Sequence, residues 1–368
     1  MPSAAATQRT LFGFAITGSQ LLDALLLGGV AAVGLAILQR GPLWIFVLAA
    51  VGLVPLAAVL GEATRVLALS LGPVAAGVLE GTLGNASELI LALVALRAGL
   101  VEVVKASLTG SIISNLLLVM GLALLCGGWR RKKQFLNRDL ARSNATTLFL
   151  AAVGLVVPAV FSLSVYGELG PNRPVLENLS LWTAAILTLI YLISLAFQLR
   201  TAIPVPAAPA TAALPASRRG AVISMLAALV AVAVLSGLVV GQLKAAQSAF
   251  HGSDIFWGAV VFALIGNAAE HGVAIGAARR DEMDLAMAIG VGSSLQIALL
   301  LAPLLVFVSL ALGHPMSLVF SGIEVVAVVL STLMVGMVSG DGETTWLEGA
   351  QLLAVYAILA ACFYFVPV

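Results

Sequence analysis

Charge is scarce in this chain. Only 10% of its 368 residues are Asp, Glu, Lys or Arg, while 61% are hydrophobic. A soluble protein of this size cannot cover its surface with so few charges, so the composition points to an integral membrane protein. The mean hydropathy of +1.12 agrees. Neither sign of charge prevails, and a formal net charge of +1 removes the electrostatic case for nucleic acid or an acidic soluble partner. Cysteine is nearly absent too. Cys126 and Cys362 both lie in apolar stretches, which excludes a disulfide framework and CxxC metal spacing. Both are expected as buried small apolar residues. The segment Met1 to Thr10 is short and polar, and no basic region, apolar core and cleavage site stand in order, so no cleaved signal peptide is expected.

Long apolar runs are what the chain does have. A spanning helix needs about 20 mostly apolar residues. That criterion predicts about eleven spans, near 20–38, 43–61, 73–97, 103–126, 144–164, 178–199, 221–242, 254–278, 285–311, 318–338 and 346–366. The second span can continue as an interfacial helix through Glu62, Arg65 and Ser70. Short connections leave no room for a soluble domain. The expected class is an all-α integral membrane protein.

Orientation follows the excess of Lys and Arg in short cytoplasmic loops. Arg130, Arg131, Lys132, Lys133, Arg138 and Arg142 form the strongest cluster, between spans four and five. With that loop inside, the loops bearing Arg218-Arg219 and Arg279-Arg280 also fall inside, and the loop with Glu168 and Glu177 falls outside. The N-terminus is then cytoplasmic and the C-terminus external.

A Pro/Ala-rich stretch, from Ile203-Pro204-Val205-Pro206 to Pro215, reads as a semi-rigid linker at the midpoint of the chain. On either side lies one copy of a repeat. Gly84-Asn85-Ala86-Ser87-Glu88 resembles Gly266-Asn267-Ala268-Ala269-Glu270, at an offset of 266 − 84 = 182. The same offset aligns Arg97 with Arg279, Ala106 with Ala288, Gly110-Ser111 with Gly292-Ser293, and Leu117-Leu118 with Leu299-Leu300. Asn, Glu and Arg take part, so shared apolar composition is a poor explanation. The implied organisation is an N-terminal region with the first helix (1–40), a first five-helix repeat (41–200), a linker (201–219) and a second five-helix repeat (220–368). An odd number of spans per copy inverts the second relative to the first. Inverted repeats are a recurring plan of secondary transporters, with the substrate site near the midplane.

An ionisable residue inside a membrane is costly and marks a functional site by default. One such glutamate is readily explained as a protonated carboxyl bonded between helices. Two at matched repeat positions, Glu88 and Glu270, favour an ion site, because pseudo-symmetry would bring them to one depth. Two carboxylates supply up to four of the six to eight oxygens that Ca²⁺ takes, with charge to match. Asn85, Asn267 and freed backbone carbonyls are candidates for the rest, since both Gly-Asn pairs are poor helix formers and unwinding is expected there. Without the cation the carboxylates repel and take up protons, so cation and protons compete for the same oxygens. His271 is a candidate proton-handling or pH-sensing group, or a helix–helix hydrogen bond; its repeat mate is Leu89. Ser111, Ser114, Asn115, Ser293 and Gln296 can complete an ion or water shell, whereas Ser294 and the pair Gly272/Gly276 read as packing. Glu80 either guides cations or sits at an interface, and Glu62, Glu102, Glu324 and Glu348 read as interfacial or structural.

The elements Gly84-Asn85-x-x-Glu88, Gly266-Asn267-Ala268-Ala269-Glu270-His271 and Gly292-Ser293-Ser294-x-Gln296 resemble the calcium/proton exchangers of the calcium/cation antiporter superfamily. The run Asp341-Gly342, then Trp346-Leu347-Glu348-Gly349, is also similar to that family. The resemblance covers nearly the whole chain. It implies one extra helix plus two inverted five-helix repeats, in the bacterial or archaeal inner membrane, exchanging cytosolic Ca²⁺ for H⁺ with no cofactor. It also implies that Glu88 and Glu270 carry both ions, that Asn85, Asn267, Ser111, Ser293 and Gln296 line the path, and that His271 is the family's histidine. Three features differ from the family pattern: Glu80-Gly81-Thr82 before the first motif, Ala263 where proline is frequent, and a linker without acids. Rival readings are a monovalent cation (Na⁺ or K⁺)/proton antiporter, a sodium/calcium exchanger, a passive cation channel and an intramembrane Ser/His hydrolase. The sodium/calcium branch usually carries proline before the motif glutamate, where Ser87 and Ala269 stand here. A hydrolase gives no reason for two matched Glu motifs, so the chain is read as a transporter and not an enzyme.

Overall fold

The computed structural model describes residues 9–11, 14–16, 20–69, 71, 73–169, 173–201 and 218–367. Most of the expected linker, and the first eight residues, lie outside the described residues. Two short strands, β1 (Arg9–Leu11) and β2 (Phe14–Ile16), pair antiparallel. Thirteen helices follow among the described residues. They are α1 (Gln20–Ile37), α2 (Pro42–Ala68), α3 (Pro73–Leu83), α4 (Ala86–Arg97), α5 (Val101–Gly128), α6 (Arg138–Tyr166), α7 (Pro174–Thr201), α8 (Arg218–Gly241), α9 (Leu243–Phe250), α10 (Asp254–Arg279), α11 (Met283–Ala311), α12 (Gly322–Ser339) and α13 (Trp346–Tyr364). Strands β3 (Gln134–Phe135) and β4 (Glu343–Thr344) pair antiparallel.

Nine of these helices are long and apolar enough to cross a membrane, and Ala24–Ile37 within α1 is a shorter apolar helix. The remaining expected span, 73–97, is not one helix. It breaks at Gly84-Asn85 into α3 and α4. Glycine permits this geometry: a Cβ at position 84 would stand 2.4 Å from the Glu80 carbonyl oxygen. The repeat-mate pair Gly266-Asn267 stays inside continuous α10, so the unwinding expected at both pairs occurs at one.

Lipid offers no hydrogen bonds, and several hydroxyls on these helices bond to their own backbone. Ser180, Ser331 and Ser339 each donate to the carbonyl four residues earlier, at 2.7 Å. Helix starts are capped locally. Asn137 Oδ1 accepts from Asp139 N and Leu140 N at the start of α6, and capping boxes pair Ser321 with Glu324 on α12 and Thr345 with Glu348 on α13.

The chain divides into two compact units, each drawing on both halves of the sequence. The first, Met1–Val94 with Ala207–His251, packs α2 along α1, α3 and α8. The second, Ala95–Pro206 with Gly252–Val368, is centred on α5, which touches α10, α11, α12 and α13. The most apolar window of α5 is 83% buried, against 22% for α7 and α13, so α5 is the core helix and those two are peripheral.

Three helices of the second unit contain a π-helical segment: Ser114–Val119 in α5, Trp257–Phe262 in α10 and Ile297–Leu301 in α11. Such segments re-aim the side chains around them and are frequent at functional sites. Adding 182 to 114–119 gives 296–301, the π segment of α11 to within one residue.

Loops at one end of this unit are tied together. Arg131 Nη1 donates to the carbonyls of Gly127 (2.9 Å) and Ala278 (3.2 Å) and pairs with Asp281 (3.4 Å). Asn137 N donates to Asp284 Oδ1 at 2.7 Å, Lys133 pairs with Glu343, and Arg138 donates to the Asp341 carbonyl. At the other end Ser253 Oγ donates to the Phe363 carbonyl (2.7 Å), and Leu318 N donates to Ser180 Oγ (2.9 Å).

Two packing expectations are corrected. Cys126 and Cys362 are exposed rather than buried. Gly272 has nothing within 4 Å of a Cβ position, and Gly276 meets only the Arg280 side chain at 3.6 Å, so this pair is not a close-packing motif.

Candidate functional site

Asn267 is the hub of a buried polar cluster. Its side chain is 1% exposed, on α10. The Ala263 carbonyl can only accept, so it fixes where the Asn267 amide nitrogen points, at 2.9 Å. That nitrogen also donates to Ser111 Oγ on α5, at 2.9 Å, and the Asn267 oxygen accepts from Asn115 Nδ2, at 3.2 Å. Nearby along α5, Ser114 Oγ stands 3.5 Å from His271 Nε2. Helical spacing places Asn267, Glu270 and His271 on one face of α10. Glu270 and His271 are half-buried.

Backbone contact makes this cluster possible. A Cβ on Gly110 would lie 2.1 Å from the Ala259 carbonyl oxygen and 2.2 Å from its Cα. With hydrogen there instead, α5 and α10 touch directly beside Ser111, and its short side chain reaches Asn267. Helix α11 packs on the same pair. Its Ser294 donates to its own Gly290 carbonyl at 2.9 Å and lies 3.4 Å from the Ile112 carbonyl of α5, the packing role expected of it. Ser293 is buried and Gln296 half-buried on this helix.

The other two sequence-chosen residues belong to the first compact unit. Asn85 (1% exposed) stands at the break between α3 and α4, and Glu88 (9% exposed) lies in the first turn of α4. The break gives Glu88 a helix N-terminus, whose free N–H groups and dipole favour a carboxylate. Glu80, nearby on α3, is exposed. Among the described residues no group of three or more His, Cys, Asp or Glu is gathered to hold a metal ion. The side chains gathered around Asn267 are amides and hydroxyls.

The sequence names every member of this cluster, Asn267 included, but not the bonds that join them. Asn115 was one shell candidate among several, because its repeat mate is Ile297 and the repeat gives it no weight. The bond from Thr109 to Glu324 was not foreseen either. The capping-box spacing Ser321-x-x-Glu324 is legible, but a partner on a distant helix is not.

Among the described residues, nine helices long and apolar enough to cross a membrane, and a buried polar cluster where two helices of the second unit touch, are the marks of a multi-spanning helical membrane protein. The chain belongs to the family described as sodium/calcium exchanger protein, whose model matches residues 41–200 and 220–365. It is similar to a Ca(2+)/H(+) antiporter of Synechocystis sp., 43% identical over 346 residues that cover 89% of this chain and 92% of the relative. It is also similar to the Ca(2+)/H(+) antiporter ChaA of Bacillus subtilis, 40% identical over 328 residues covering 87% and 92%. Among solved structures, native YfkE superposes with a TM-score of 0.82 at 36% identity, covering 94% of this chain and all of that one. The H+/Ca2+ exchanger CAX shares the fold, with a TM-score of 0.70 at 16% identity, covering 93% of this chain and 91% of that one.

Proposed function

We propose that this protein exchanges cytosolic Ca²⁺ for H⁺ across the membrane, and that Glu88 and Glu270 carry both ions in turn. The observation that carries the reading is the matched pair Gly84-Asn85-x-x-Glu88 and Gly266-Asn267-x-x-Glu270. The identity to relatives named as Ca(2+)/H(+) antiporters supports Ca²⁺ as the cargo. Each glutamate supplies charge and two oxygens. Asn85, Asn267, Ser111, Ser293 and Gln296 supply neutral oxygens, and His271 handles protons beside Glu270. Ca²⁺ needs the carboxylates ionised, and protons neutralise them. Loading one ion therefore expels the other, which couples the two flows without a chemical step.

The architecture proposed is eleven spans: α1, then two inverted five-helix repeats, with α3 and α4 together making the third span. The π segments of α5 and α11 at the repeat offset support this. We assign the tied loops around Arg131, Arg279 and Asp341 to the cytoplasm of a cell inner membrane, by their excess of basic residues. The N-terminus is then inside and the C-terminus outside.

The test is ion flux in proteoliposomes. Ca²⁺ uptake that requires an imposed pH gradient, with protons moving the opposite way, is the expected result. Uptake indifferent to the gradient indicates a channel. A gradient dissipated by Na⁺ or K⁺ without Ca²⁺ movement keeps the fold and replaces the substrate.

A further inference from the structure

Glu324 is a carboxylate buried to 1% exposure, and the proposed ion path does not include it. Both of its oxygens are occupied. Oε2 accepts from Ser321 N (3.0 Å) and Ser321 Oγ (2.7 Å), closing the capping box that starts α12. Oε1 accepts from Thr109 Oγ1 on α5, at 2.8 Å. The capping box accounts only for the first oxygen. The equivalent box on α13 uses one oxygen of Glu348, bonded to Thr345 N and Oγ1, and leaves that side chain half-buried.

Thr109 has one proton to give. Two carbonyls of its own helix lie within reach, Ala106 at 3.1 Å and Lys105 at 3.3 Å, and serines and threonines on helices ordinarily turn to such carbonyls. The shorter contact to a carboxylate is the stronger one. The buried ammonium of Lys105, one turn away, is held by Glu102 at 3.1 Å. Thr109 is followed by Gly110, whose backbone touches Ala259 of α10, and by Ser111, which takes the Asn267 hydrogen bond. An unbroken path of contacts thus runs from the start of α12 through Glu324 and Thr109 to the Ser111–Asn267 pair.

We propose that Glu324, acting through Thr109, is a positioning residue of the transport site, holding α5 at the rotation that puts Ser111 on Asn267. The proposal rests on the reading of Ser111 and Asn267 as part of the ion path.

Four variants test it: Thr109→Val, which keeps the shape and removes the donor; Thr109→Ser, which keeps the donor; Glu324→Gln; and the double variant Thr109→Val with Glu324→Gln. The readouts are the apparent KM and maximal rate of gradient-driven cation uptake, beside the thermal unfolding midpoint. Weakening a hydrogen bond to a carboxylate is expected to raise KM about tenfold in Thr109→Val, and in the same direction in Glu324→Gln, with Thr109→Ser at the wild-type value. The double variant is expected to be no worse than the worse single one, because both weaken the same contact: a glutamine has one oxygen for the two sets of donors, Thr109 Oγ1 and Ser321, that the carboxylate serves with two. An unchanged KM in Thr109→Val overturns the proposal, even where the unfolding midpoint falls, since that pattern means packing alone. Should Glu324→Gln fail to fold, the Thr109 pair decides the matter. The comparison needs only saturable cation uptake, so it is read separately from the glutamate reading: transport surviving Glu88→Gln overturns that reading and leaves this one standing.

Discussion

Gly110→Ala converts the backbone contact between α5 and α10 into a clash, and its size can be worked out. The new Cβ would stand 2.1, 2.2 and 2.5 Å from the oxygen, Cα and carbonyl carbon of Ala259, all backbone atoms that cannot rotate away. Ordinary contact begins at 3.4 Å, so the helices must part by roughly 3.4 − 2.1 = 1.3 Å. The Asn267–Ser111 bond, now 2.9 Å, would then exceed hydrogen-bonding range. Overpacking of this kind costs about 1–3 kcal/mol, and the lost bond about 0.5–1.5 kcal/mol more. Misplacing a reacting group by about 1 Å can cost about 100-fold in rate, and a similar fall in uptake is expected here. The assays are thermal unfolding of the purified protein in detergent and Ca²⁺ uptake into proteoliposomes. Gly237→Ala is the control, since nothing lies within 4 Å of its Cβ position, and it should match wild type in both. Wild-type melting and uptake in Gly110→Ala would refute the claim that α5 and α10 must touch for the site to form.

Other outcomes follow from the same geometry. Asn267→Ala removes bonds to Ser111 and Asn115 and leaves buried groups unsatisfied, which should lower stability by about 2–4 kcal/mol and abolish uptake; chemical denaturation and flux measure the two effects. His271→Gln should change the pH profile of exchange, whereas an unchanged profile with a normal rate would remove His271 from proton handling. At the tied loops, the Glu343 carboxylate holds the exposed Lys133 ammonium above its ordinary value of 10.5. A raised lysine pKa contributes stability that is fully present below 10.5 and is lost as pH rises through the folded value. The stability difference between wild type and Lys133→Met should therefore be small, constant through neutral pH and absent in strong alkali, as a pH series of melting curves would reveal.

The positions of the nine long apolar helices among the described residues were legible because an apolar run of about 20 residues in lipid has few alternatives to a helix. The break in the third span was not, since Gly84-Asn85 and Gly266-Asn267 have the same local chemistry. Asn267 turns its amide onto Ala263 of its own helix, which is continuous there, whereas at Gly84 the backbone lies where no Cβ would fit. Which face of an apolar helix meets lipid is also invisible to composition, so the cysteines and the Gly272/Gly276 pair were misplaced. Within the site, the repeat drew attention to residues with a mate. It therefore singles out Ser111 and Asn267, which the buried cluster joins, and gives no weight to Asn115, whose mate is Ile297. The Thr109–Glu324 bond joins residues 215 positions apart, and no local pattern encodes that.

The most direct test of the central claim is gradient-driven Ca²⁺ uptake by Glu88→Gln and Glu270→Gln beside wild type, in matched proteoliposomes. Glutamine keeps the shape and the oxygen but cannot ionise. If the two carboxylates carry Ca²⁺ and protons in turn, each single variant loses gradient-driven uptake while retaining the fold by size-exclusion profile. Uptake that survives in either variant would contradict the account.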